Sequence, residues 1–291
     1  MMERRLIISP WIEHRRRLVN ALGLGAVGIA TAVVLIPLVA VIWYTVREGV
    51  PGLTWEFFTH LPTPVGEAGG GMANAIVGSG IVVGLAAIVA IPLGILAGIF
   101  ISEYATARFA ATIRFVTEVM LGLPSILLGI FSYAVIVKPM GRFSAYAGAV
   151  ALAIVMLPII TKTTEEILRL VPGHIREAGL ALGIPQWVVV LRIVVRAASR
   201  GILTGVLLSI ARAAGETAPL LFTALNNRYW HTWLDQPIAT LPVQIFTYAV
   251  APYEDWHRQA WAGALVLIGL VLLLSIALRL VVSRTHQEHQ Q

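Results

Sequence analysis

Ala68–Ser102 reads AGGGMANAIVGSGIVVGLAAIVAIPLGILAGIFIS and contains no Asp, Glu, Lys or Arg over its whole length. A helix needs only about 20 such residues to cross about 30 Å of hydrocarbon, so this stretch alone is long enough to span a bilayer. Four further charge-free runs flank it: Leu18–Val46 before it, and Val119–Val137, Phe143–Thr161 and Gln259–Leu278 after it. The composition agrees, with 58% hydrophobic and 12% charged residues and a mean hydropathy of +0.83. A soluble domain carries about 25% charged residues, and half that leaves too little polar surface to face water.

Six spans are expected, at about 19–45, 73–101, 115–137, 143–161, 201–224 and 259–282. The fifth holds two charges, Arg212 and Glu216, between the apolar flanks Gly201–Ala211 and Thr217–Leu225. Backbone groups in lipid must be satisfied within their own segment, which selects helices. The fold class is therefore all-α, a polytopic transmembrane helical bundle. A basic N-terminal segment (1–18) precedes a membrane domain (19–283) that contains one long loop (162–200), expected on the cytoplasmic side, and a short tail (284–291) follows. Prolines fall within the spans at positions 37, 92, 124, 158 and 219, where they permit bends. Gly94 and Gly98 form a GxxxG pattern that allows close helix approach.

Basic residues set the orientation. If the N-terminus is cytoplasmic, fifteen lysines and arginines lie on the inside, among them Arg15, Arg16, Arg17, Arg192, Arg196 and Arg200. Five lie outside: Arg47, Lys138, Arg142, Arg228 and Arg258. Both termini are thus expected in the cytoplasm. Met1–Arg17 carries five arginines ahead of a run of 29 apolar residues. A cleavable signal has an apolar stretch of about 7–15 residues, so Leu18–Val46 reads as a retained helix. Trp230, Trp233, Trp256 and Trp261 in and beside the last outer loop suit an interfacial aromatic belt. Pro237–Ala251 reads as a short interfacial helix on the same side.

The net charge of +6 and pI near 10 do not indicate nucleic acid, because the basic residues border spans, where anionic lipid headgroups attract them. No cysteine occurs, which removes disulfides and thiolate metal sites. There is no GxxxxGK[ST] phosphate loop, no HExxH and no GxSxG. His286 and His289 sit in a polar tail, as solvated histidines do. Nothing marks a catalytic centre, a metal site or a cofactor.

Lys162–Arg200 contains VPGHIREAGLALGIPQWVVVLRI from Val171 to Ile193. Leu180, Leu182, Ile184 and Trp187 put apolar surface on a polar excursion, which marks a protein contact. Pro172–Gly173 and Gly183–Ile184–Pro185 bracket a short helix between two turns. This pattern resembles the EAA loop of ABC importer permeases: Glu-Ala-Ala, three residues, Gly, nine residues, then Ile-x-Leu-Pro. The match falls at Glu177, Ala178, Gly183 and Ile193. The departures are Gly179 for the usual alanine and Val195–Arg196 for the usual Leu-Pro. The resemblance implies a type I ABC importer permease fold, whose loop docks into an ATPase subunit and transmits its closure.

Arg212 and Glu216 are four residues apart and would share one helix face. Charges at membrane depth face a bundle interior or a watery path. The planar guanidinium fork suits an oxyanion, while a purely structural ion pair is the other reading. The surrounding GETAPLLFTALNN (Gly215–Asn227), QPIATLP (Gln236–Pro242) and AWAG (Ala260–Gly263) are similar to the A-type permease subunits of phosphate-specific (Pst) ABC importers. That resemblance implies phosphate passage at the residues matching Arg212 and Glu216. It also implies a homologous second permease, two ATPase subunits, a periplasmic phosphate-binding protein, and a bacterial inner-membrane location. A permease for another oxyanion, such as molybdate or sulfate, shares all but the Gly215–Asn227 likeness. A secondary anion transporter leaves the Glu177–Ile193 pattern without a purpose.

Overall fold

In a computed structural model of the chain, residues 10–65, 67, 69–230 and 233–284 are described. The start of the basic segment and nearly all of the tail, with His286 and His289, lie outside them. The chain divides into two compact units, residues 1–48 and 49–291. The first unit is built on α1 (Pro10–Gly49), one 40-residue helix long and apolar enough to cross a membrane.

The second unit contains α2 (Trp55–Thr59), α3 (Ala73–Glu103), α4 (Ala107–Gly122), α5 (Ser125–Met140) and α6 (Ala145–Arg169). It continues with α7 (Gly173–Ala181), α8 (Gln186–Ala214), α9 (Ala218–Leu221), α10 (Leu241–Ala249) and α11 (Glu254–Arg284). Among the described residues, helices α1, α3, α6, α8 and α11 are each long and apolar enough to span; α4 and α5 pass the same test only as a bent pair, which makes a sixth span if the two count as one.

Helix α6 is the central one. Its Ala145, Ala149, Leu152, Ala153, Met156 and Ile160 are buried against Val82, Ala86 and Ala90 of α3 and Val206 and Ala213 of α8. Small side chains on this seam let backbones approach, which is how helices associate where lipid supplies no hydrophobic drive. The GxxxG pair works within the chain. A Cβ on Gly94 would lie 2.8 Å from Ile160 Cβ, and one on Gly98 would lie 2.6 Å from Thr164 Cβ. Two smaller cores close the ends. Phe57, Met72, Leu241, Tyr248 and Trp256 fill one; Ile99, Leu168, Val189, Val190, Val194 and Ile202 fill the other.

The prolines divide by outcome. Pro92 and Pro158 are carried inside continuous helices. Leu123–Pro124, both extended, break the third span, and α4 and α5 meet at a bend of 101°. The expected single helix over 115–137 is therefore two helices. Proline lacks an N–H and disfavours the helical conformation of the residue before it, and Leu123 takes φ −71°, ψ 136° accordingly.

The last loop differs from expectation in two places. Trp256 is buried, stacked on Tyr248 with ring centroids 4.5 Å apart, so it is a core residue rather than part of an aromatic belt; Trp230 and Trp233 remain exposed. Helix α10 buries Leu241, Pro242, Val243, Gln244 and Tyr248, so the helix expected over 237–251 exists but is embedded in the bundle. The segment before it satisfies the start of α6: the N–H groups of Ser144, Ala145 and Tyr146 donate to the carbonyls of Thr223, Gln236 and Leu234 at 3.0–3.2 Å. A helix N-terminus leaves its first N–H groups without intrahelical partners, and this loop accepts from them.

Candidate functional site: a helix break and a coupling helix

Helix α8 stops at Ala214. The N–H of Gly215 donates to Arg212 O and that of Glu216 to Ala213 O, at 3.1 and 3.2 Å, tightening the last turn. Glu216 and Thr217 are outside any helix, and α9 then begins with Pro219 in its first turn. The fifth span, expected over 201–224 with its helix loosened near Gly215 and Pro219, is interrupted at its charged pair. The physical reason is local: glycine is a poor helix former, and Pro219 has no N–H to extend the α8 ladder.

Arg212 therefore sits in the last turn of α8, where the helix dipole favours a cation. Glu216 lies just past the end. The two still meet, but loosely: Nε to Oε1 is 3.5 Å, at the limit of a hydrogen bond. The Arg212 side chain is 49% exposed and that of Glu216 15%. Among the described residues no other acceptor holds the guanidinium. Arg212 is thus a fixed positive charge with spare donors beside an opening in the backbone. The second broken span packs here too: α9 lies on α5, and Gly129 of α5 rests against the Pro219 backbone.

The other predicted cluster lies at the α7 end. Glu177 and Ala178 are on the exposed face of α7, and Gly179 is its buried residue. A Cβ on Gly179 would lie 2.9 Å from Val189 Cγ2 and 3.6 Å from Ile193 Cδ1, so Gly179 and Ile193 meet where α7 crosses α8. That stretch of α8, Val189–Val194, is a π-helical turn. Gly183 has φ +74°. Its N–H donates to Leu180 O at 2.9 Å, and that of Ile184 donates to Gly179 O at 3.3 Å. This is the paired closure of a Schellman motif, in which glycine takes the left-handed position without a Cβ penalty. Leu182, 80% exposed, stands with Leu180 and Trp187 on the outer surface.

Two ionic features escaped the sequence reading. Arg176, immediately before Glu177, forms a two-pronged pair with Glu103 at the end of α3, Nε to Oε2 at 2.9 Å and Nη2 to Oε1 at 2.7 Å. It also donates to the carbonyls of Val171 and Leu168 at 2.7 and 2.9 Å. The Glu103 hydrogen bond is the main reason its already high pKa is raised further. Buried Glu165 of α6 binds Arg114 of α4 and, at 3.3 Å, Arg169. The signal for the first was present in the sequence: Glu103 ends a charge-free run, where a helix C-terminus disfavours an anion. Its distant partner could not be read from spacing.

Residues 90–287 match the family described as binding-protein-dependent transport system inner membrane component. Over 288 residues the chain is 43% identical to the phosphate transport system permease protein PstA of Yersinia pestis, covering 98% of this chain and 95% of that one. It is 47% identical to the PstA of Xylella fastidiosa strain 9a5c over 278 residues, 95% and 96% of the two chains. With the probable PstA of Methanocaldococcus jannaschii it shares 36% over 276 residues, 94% and 97%. Among solved structures, the inward-facing MetNI methionine ABC transporter superposes with a TM-score of 0.57 at 16% identity, covering 72% of this chain and 92% of that one. An amino acid ABC transporter with histidines gives 0.52 at 17%, with the same coverage. These two structures show the type I ABC importer permease fold. By its sequence the chain belongs to the family of binding-protein-dependent inner-membrane permeases, within the group of the PstA proteins.

Proposed function

We propose that this chain is the transmembrane permease subunit of an ATP-driven importer for inorganic phosphate. The observation that carries the reading is near full-length likeness to permeases named for phosphate transport. It works by alternating access, with ATP hydrolysis supplied by a partner. The complete importer contains a homologous PstC-type permease, two PstB-type ATPase subunits and a periplasmic PstS-type phosphate-binding protein. The chain lies in the inner membrane, in contact with lipid, with both termini cytoplasmic. The α7 end then faces the cytoplasm, and Glu177, Ala178, Gly179, Gly183 and Ile193 form and support the surface that receives ATPase closure.

Arg212 and Glu216 serve the substrate pathway. Hydrogen phosphate presents oxygens to a guanidinium with unfilled donors, an interaction stronger than a neutral hydrogen bond. Glu216 repels a bare dianion but accepts a hydrogen bond from the phosphate O–H, which sulfate lacks at neutral pH. The test is ATP-dependent phosphate uptake by vesicles holding the full importer. Arg212→Ala should abolish uptake with the ATPase subunit still bound; normal uptake reduces the pair to a structural bridge. Glu216→Gln should lower the preference for phosphate over sulfate in competition, and an unchanged preference removes Glu216 from selection.

A further inference from the structure

We infer that Arg176 is a positioning residue for energy coupling: its guanidinium fastens the coupling helix α7 to the ends of α3 and α6, so that the three move as one piece. The inference rests on the importer reading above and adds to it a residue that points inward, away from the exposed docking surface.

Two helices, α3 and α6, end close together beneath α7, at Glu103 and Arg169. Each C-terminus carries partial negative charge on its free carbonyls, and Glu103 adds a full one. Left alone, that carboxylate is badly placed, because its side chain is only 5% exposed and water cannot screen it. Arg176 offsets all three sources together. Two of its hydrogen bonds go to the Glu103 carboxylate, one to the carbonyl of Leu168 in the last turn of α6 and one to that of Val171 in the turn between α6 and α7. Ser102 Oγ donates a further bond to Glu103 Oε1 at 3.0 Å. Gln186 at the start of α8 donates to the Glu103 carbonyl at 3.2 Å, tying the returning helix to the same point.

The geometry distinguishes fastening from mere neutralisation. A rigid fork with four of its five donors taken by three separate pieces of backbone and side chain fixes orientation as well as charge. Lysine at this position would keep the charge and lose the fork. A push on the exposed face of α7 therefore passes into α3 and α6, the most closely packed pair of the bundle, without slack at the joint. Arg212 lies at the far end of α8 from α7, so a joint that yields would dissipate the movement before it reached the helix break.

The experiment uses the complete importer in proteoliposomes with phosphate-loaded binding protein inside or outside as required, comparing wild type, Arg176→Lys and Glu103→Gln. Phosphate taken up per ATP hydrolysed is measured alongside retention of the ATPase subunit. The expected result is retention of that subunit with uptake per ATP reduced at least severalfold, more in Arg176→Lys than in Glu103→Gln. A wild-type ratio in both variants overturns the inference, whatever their yield. Loss of the ATPase subunit from both also overturns it, because the clamp is then a folding contact. Failure of the importer reading is separate and visible in the wild type, which would show no phosphate-dependent uptake at all.

Discussion

Arg176 and Arg212 are the same side chain in opposite circumstances. Arg176 makes four hydrogen bonds, all at 2.9 Å or less, and joins the ends of two helices to a third. Among the described residues Arg212 makes one such contact, at 3.5 Å, to a residue just past the end of its own helix. Both occupy favourable places against a helix C-terminus, so dipole energy does not separate them. What separates them is spare capacity. A guanidinium with nearly all its donors taken is mechanical, whereas one whose donors are mostly open is available to an anion. The same contrast holds for the backbone around them: a Schellman closure seals α7, while α8 is left interrupted beside its charge.

The largest expected effect tests the open arginine. If the passing anion binds Arg212, Arg212→Ala removes a charge-assisted interaction of about 3 kcal/mol, equivalent to about a hundredfold in affinity. Phosphate flux in vesicles should fall on that scale, with the protein still folded because the residue is half exposed. A fall of only about twofold would show that its spare donors meet no substrate, and the contrast with Arg176 would lose its meaning.

A smaller effect is expected on the exposed face of α7. Leu182→Glu places a charge where an exposed apolar side chain stands, so the fold should survive. If this face meets the ATPase subunit, a central apolar contact is worth about 2 kcal/mol, and capture of that subunit should weaken by about thirtyfold. Unchanged capture in a pull-down from detergent would move the docking surface elsewhere. Gly183→Ala comes next. A Cβ at φ +74° costs about 1–2 kcal/mol, which should lower the thermal midpoint of the purified complex by a few degrees. Asparagine, which tolerates the left-handed region better, should recover part of the loss. Equal midpoints for glycine and alanine would mean the turn reopens when the ATPase is bound.

Much of this arrangement was legible in the chain. Charge-free runs reveal spans because a bilayer punishes each unpaired charge, and the Gly183–Ile184–Pro185 signal reveals a helix end because few residues adopt its geometry. The two helix breaks were partly legible. Pro124 and the Gly215–Pro219 pair are bend signals, yet Pro92 and Pro158 carry the same signal and lie in unbroken helices. Whether a proline bends or breaks a helix depends on what neighbouring helices do with the freed carbonyl, and that is a tertiary property. The Arg176–Glu103 clamp was illegible for a related reason: its partners are 73 positions apart, and no periodicity connects them. Trp256 illustrates the reverse case, in which an interfacial residue type is buried because Tyr248 offers a stacking partner.

The smallest expected effect is at Gly179, where this chain departs from the Glu-Ala-Ala pattern it otherwise resembles. Alanine there would gain about 1 kcal/mol of helix propensity over glycine. Its Cβ would also meet Val189 Cγ2 at 2.9 Å and Cγ1 at 3.1 Å, both side-chain methyls rather than backbone. Turning or shifting a valine off its preferred rotamer costs about 0.5–1.5 kcal/mol, so the two contributions nearly cancel. Gly179→Ala should leave the thermal midpoint within about two degrees of the parent and uptake per ATP within about twofold. A clear loss of coupling at unchanged stability would be the more instructive result. Val189 begins the π-helical turn of α8, and such a loss would mean that α7 slides on this turn during the cycle, with Gly179 keeping the crossing smooth. The coupling helix would then be a hinged part on its α8 side and a clamped one at Arg176, and the contrast between mechanical and open sites would run through α7 itself.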